Sequence, residues 1–167
     1  VPPMVLGAIN DRWSFYLADL GIVGLDKGEG GRYLILPPGY EGAIPEGYFT
    51  VKSPTYQGLC FFRLIAVNDN FQPAVESLKK HARIYLLSQA DNPPENNFVN
   101  ISGKEFYGIA PADFSFWEYL NEVVQGEPTE SFDRVSLGFF ASIGIEKGKP
   151  FSPDDRMKKI LTDATIV

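Results

Sequence analysis

A chain of 167 residues with 44% hydrophobic and 14% aromatic content has enough apolar mass for one domain with a sizeable core, which argues against disorder. The formal charge of −6, with no basic run, disfavours nucleic acid, whose binding depends on Lys and Arg neutralising phosphates. The single cysteine, Cys60, excludes an internal disulfide, and no apolar stretch reaches the ~20 residues of a membrane-spanning helix.

In chain order, residues 1–6 are apolar but interrupted by Pro2 and Pro3, which predicts an edge strand or extended lead-in. Asn10 and Asp11 read as a turn. From residue 12 to 20 the odd positions Trp13, Phe15 and Leu17 alternate with more polar ones, which predicts a strand with the Trp13 face inward. Asp19 falls on that same face. Residues 21–31 read as a loop with Asp26, Lys27 and Glu29 at its solvated tip. Gly28, Gly30 and Gly31 permit a sharp turn into Tyr33, Leu34, Ile35 and Leu36, a short strand expected to be covered on both faces. Pro37, Pro38 and Gly39 end it. Phe49 and Val51 alternate with Tyr48, Thr50 and Lys52 as a half-buried strand, and residues 59–67 form a third, longer run.

Helices are expected afterwards. Asn68 to Asn70 can cap one over residues 72–82, whose Val75 and Leu78 would face the sheet. Residues 83–87 and, weakly, 98–102 read as strands around the loop of 89–97. Further helices are predicted over 111–125, over 130–142 with Thr129 as cap, and over 152–163 with Ser152 as cap. Strands first and helices later give an α+β class. Residues 1–91 would form a partial antiparallel β-sandwich body with one helix, and 92–167 a helical appendage.

The stretch GGRYLILPPGYEGAIPEGY, followed by KSPT and an Arg in an apolar run, resembles the signature of domain-of-unknown-function family 1254. FYLADLG before it and GKPFSPDDRMKKILTDA at the end are similar to further segments of that family. The resemblance implies a jelly-roll-like β-sandwich with no agreed activity, often joined to a module of family 1214. It also implies that strands should precede Val1 and a module should follow Val167, so that this chain is a fragment of a longer bacterial-type protein. An unpaired sheet edge would then recruit another chain, and a homo-oligomer is expected. The chain starts without an initiator Met, so a periplasmic or a cytoplasmic location both stay open.

Chemistry is sparse. His81 is the sole histidine, no His/Cys spacing suits zinc, and no cofactor is expected. Cys60, between Leu59 and Phe61, reads as buried filler. GEGG lacks the spacing of a phosphate loop. Carboxylates on loops, Asp11, Asp26 and Glu29, could serve acid–base work, and Tyr16, Tyr40, Tyr48 and Tyr56 could stack on a sugar ring. Arg63 lies in the apolar run 59–67, where a guanidinium needs a carboxylate, and Asp19 has the mirror need; the two are expected to pair, either as a buried register-fixing bridge or as an anion- or sugar-binding Arg held by Asp19. The candidate ligand-binding set is therefore Arg63, Asp19, Tyr16, Glu29 and Tyr40. Two functions compete: a non-catalytic assembly or ligand-binding module of a larger protein, and a carbohydrate-directed hydrolase or sugar binder. A groove with two carboxylates and an aromatic platform would favour the second, and a broad apolar patch on the later helices the first.

Overall fold

A computed structural model describes residues 1–66, 68–105 and 108–166. The chain divides into two compact units, Val1–Asn100 and Ile101–Val167. Among the described residues the fold is α+β, with an antiparallel sheet in the N-terminal half and four α-helices after the strands.

In the first unit, β1 (Val5–Asp11) lies between β2 (Tyr16–Gly21) and β5 (Gly58–Leu64), antiparallel to both. The opening residues are therefore no edge strand. Pro2 and Pro3 stay outside the ladder, and the chain enters the sheet at Val5 as its central strand. A second, two-stranded sheet pairs β3 (Tyr33–Leu36) with β4 (Phe49–Lys52) in parallel, where a hairpin-built sandwich would have made them antiparallel. Leu36 is buried on one face of this pair and Val51 on the other, whereas Ile35, beside Val51, is exposed, so each face is covered over part of its length. Ile9, Leu20 and Val51 are buried together, with Leu17, Ala18, Tyr33 and Phe62 against them; the strands of both sheets contribute to this core.

The inward face of β2 is not that of Trp13. Between Ile9 and Asn10 the register with β2 shifts, because Ile9 faces Ala18 while Asn10 faces Tyr16. Leu17 is the extra residue of this bulge, and alternation read along residues 12–20 breaks there. Phe15 is left 70% exposed in the hairpin turn, and Leu20 is fully buried. Asp19, opposite Ala8, belongs to the outer face of the sheet.

Helix α1 (Gln72–His81) starts as expected: Asn70 accepts from the Gln72 amide at 2.9 Å, and Pro73 occupies its first turn. No residue of α1 is buried, so Val75 and Leu78 stay half-exposed. Residues 83–87 and 98–102 are not strands; Leu87–Gln89 is a single 3₁₀ turn, and Asn96 supplies bonds to Ile84 and Ala82 in place of a ladder. Val67, placed by sequence in the β5 run, lies outside the described residues.

The second unit holds α2 (Ser115–Gly126), α3 (Arg134–Ser142) and α4 (Asp155–Asp163). Val124, Ile145 and Leu161 are buried there, and the Trp117 indole donates to the Leu161 carbonyl at 2.8 Å. The Lys147 ammonium donates to the Gln125 and Glu127 carbonyls at 2.9 and 2.6 Å, supplying positive charge where the end of α2 leaves acceptors unpaired. Each expected cap is displaced toward the C-terminus: Asp133, not Thr129, caps α3, and Asp154, not Ser152, caps α4 by accepting from the Met157 amide at 2.7 Å. A carboxylate facing the positive helix start wins over a neutral hydroxyl. Asp154→Ala should therefore lower the unfolding free energy by about 1 kcal/mol, read as a shift of the urea midpoint at unchanged slope.

Candidate functional site

The segment between β2 and β3 is built on Asp26, which is only 4% exposed and not at a solvated tip. Its carboxylate accepts from the Gly21 amide at 2.8 Å, the Gly30 amide at 3.2 Å and the Tyr33 hydroxyl at 2.5 Å. Gly28 and Gly30 have φ of 80° and 81°, conformations that fold the loop back on itself so that these donors converge. The Met4 amide donates to the Gly28 carbonyl and the Gly31 amide to the Val1 carbonyl, which lays the chain start along the loop.

Burial, with the Asp26 carboxylate beside it, pushes the Tyr33 phenol up to about 12 from an ordinary 10.0. A raised folded-state value stabilises the fold fully below pH ~10 and loses that contribution as the pH climbs toward 12. An alkaline ultraviolet titration should show late-ionising phenols, Tyr33 together with Tyr16 and Tyr85, which are also raised, and Tyr33→Phe should remove one phenol's share of that late absorbance.

A second polar node joins the end of β4 to the β1–β2 turn. Asp11, 4% exposed, accepts from the Trp13 and Phe15 amides, both at 2.9 Å. The Arg12 amide donates to the Thr55 hydroxyl at 3.1 Å, and that hydroxyl donates to the Gln57 carbonyl at 2.7 Å. The Ser53 hydroxyl donates to the Thr55 carbonyl at 2.7 Å. The KSPT segment thus anchors a turn. Apart from the Tyr33–Asp26 bond, both nodes direct these side-chain bonds to backbone groups, and no buried side-chain polar atom among the described residues lacks a partner.

The predicted ligand-binding residues do not converge. Asp19 and Arg63 form no ion pair; the ion pairs among the described residues are Lys149–Glu146 and Lys159–Asp163. Both expected partners lie on the outer face, but β1 runs between their strands and Arg63 faces Leu6 while Asp19 faces Ala8. Arg63 is exposed, so water meets the need that a carboxylate was expected to meet. Tyr16 is Asp19's neighbour instead: the bulge brings the two to one face, and the carboxylate beside its hydroxyl raises the Tyr16 phenol. Tyr40 donates to the Ala43 carbonyl at 2.9 Å within its own loop, and Glu29 is exposed beside the Asp26 turn. Cys60 is exposed rather than buried filler, yet the surrounding protein still raises its thiol pKa, which disfavours the thiolate needed for nucleophilic work. No group of three or more His, Cys, Asp or Glu suited to a metal ion occurs among the described residues.

A feature that sequence reading missed lies in the second unit. A groove of about 530 Å³ between the first turns of α2 and the start of α4 is lined by Phe114, Glu118, Tyr119, Glu122, Phe151 and Lys158, among others. The Phe114 and Phe151 rings stack at 6.0 Å with an interplanar angle of 12°. Glu118 and Glu122 stand one helical turn apart, a spacing readable in the sequence. What the sequence lacked was any sign that Phe151 and Lys158 would come to the same place.

Fold and nodes together define an α+β scaffold whose glycines, Asp26 and KSPT segment build backbone geometry. The chain belongs to the DUF1254 family, described as a protein of unknown function, which matches residues 1–86. It is similar in structure to the VPA0106 protein from Vibrio parahaemolyticus, with a TM-score of 0.67 and 18% identity over 99% of this chain. The likeness is one of fold, and this chain spans 42% of the length of that one. No curated protein matches the sequence. No helix among the described residues is long and apolar enough to cross a membrane.

Proposed function

We propose that this chain is a non-catalytic assembly module that offers the outer face of the β2-β1-β5 sheet to a protein partner. The observation that carries the reading is exposure at the heart of the fold: Leu59, Phe61 and Tyr16 are 58%, 41% and 62% exposed on that face. Apolar groups at this density on a regular sheet favour coverage by another polypeptide. Two sheets of three and two strands are also few for a jelly-roll-like sandwich, and partner strands would complete one. That the similar fold in VPA0106 sits in a chain more than twice the matched length is consistent with a module in a larger body.

A second reading, sugar binding, is favoured by the groove of the second unit, with two carboxylates beside stacked rings. A thermal-shift screen against glycans and small metabolites separates the two. The assembly reading expects no saturable shift. A saturable shift that Glu118→Gln and Tyr119→Ala both remove would replace it with the ligand-binding one.

A further inference from the structure

The free edge of β5 points to a specific partner, a second copy of this chain. We infer that two copies pair their β5 strands antiparallel about a two-fold axis through Phe61; this rests on the assembly reading above and goes beyond it, since it joins sheet edges and leaves the outer face free. β5 ends the sheet order β2-β1-β5, and no strand pairs with its other side among the described residues. Its first four residues, Gly58 to Phe61, are exposed, and Arg63 is the sole charge among its seven residues. Soluble proteins protect such edges with lysines, prolines, bulges or covering segments; here the ladder with β1 runs in unbroken register from Val5↔Leu64 to Asp11↔Gly58.

A copy of the same strand is complementary. Phe61 is the midpoint of Gly58–Leu64, so an axis there overlaps all seven residues. It sets Phe61 against its mate, an aromatic cross-strand pair, and each Arg63 opposite the other copy's Leu59, so the two guanidinium groups lie ~14 Å apart. The outcome is a continuous six-stranded sheet with β5 no longer at its edge.

Cys60 supplies the probe, since it is the chain's one cysteine and is exposed on β5. In the Phe61-centred register the two Cys60 Cα atoms lie about 8 Å apart, too far for a disulfide but within reach of a short bis-maleimide. The expected result is a covalent dimer at micromolar protein, absent in Cys60→Ser, together with a dimer in sedimentation velocity. Phe61→Glu should weaken that dimer roughly tenfold or more with an unchanged circular dichroism spectrum, while Phe139→Glu on α3 should leave it intact. Wild-type chain that sediments as a monomer at ~100 µM and gives no cross-link overturns the inference. So does a dimer indifferent to Phe61→Glu. Neither result touches the assembly reading, which fails separately if the ligand screen finds a saturable, groove-dependent binder.

Discussion

Gly21→Ala should unfold the first unit, with a loss of more than ~4 kcal/mol. Gly21 closes β2 with φ at 76°, where any Cβ is strained, and an added Cβ would lie 1.9 Å from the Val5 carbonyl oxygen and 2.7 Å from its carbon. The neighbour is backbone of the central strand, so nothing flexible can yield. That oxygen is also the acceptor for the Ile22 amide at 2.9 Å, and Gly21 itself donates to Asp26 and accepts from Gly24 and Gly28. Moving Val5 away would break the β1–β2 ladder at Leu6↔Gly21 and the loop hub together. Circular dichroism and a thermal melt should show the antiparallel sheet signal lost at temperatures where the wild type is folded; a variant melting within a few degrees of wild type would contradict this geometry.

Asp26→Ala is the second large effect, at about 2–4 kcal/mol. Three donors, the Gly21 and Gly30 amides and the Tyr33 hydroxyl, would lose their acceptor where Asp26 is 4% exposed and water cannot readily replace it. Asp26→Asn keeps an acceptor oxygen and the shape, and should lose less. Urea denaturation of the two variants gives the order. Equal losses would mean that the carboxylate's hydrogen bonds are not what holds the loop.

Much of the scaffold was legible because it rests on local chemistry. Gly28 and Gly30 were readable as a turn, and they adopt positive φ. Proline at the start of α1 and apolar spacing placed all four helices within a few residues, although the caps of α3 and α4 moved to aspartates. The strands were legible where alternation was intact, at Phe49–Lys52, and misleading where it was not. The bulge at Leu17 reverses the faces of β2, and no single-sequence pattern marks it. This one slip carried Asp19 to a wrongly assigned inner face and with it the expected Asp19–Arg63 pair. Residues 83–87 carry strand-like side chains, yet among the described residues they pair with no strand, and Asn96 bonds Ile84 and Ala82 instead. Asp26 was hidden for the opposite reason: an acid in a glycine-rich loop looks solvated until three donors are seen to converge on it. The groove at Phe114 and Phe151 depends on tertiary contacts between residues far apart in sequence, which composition does not encode.

The most direct test of pairing at the β5 edge is hydrogen exchange at two protein concentrations, followed peptide by peptide across the sheet. A free β5 edge that pairs with another chain predicts that protection over Gly58–Leu64 rises with concentration, while the central strand Val5–Asp11 stays equally protected throughout. Exchange over Gly58–Leu64 that is the same at low and high concentration would contradict it.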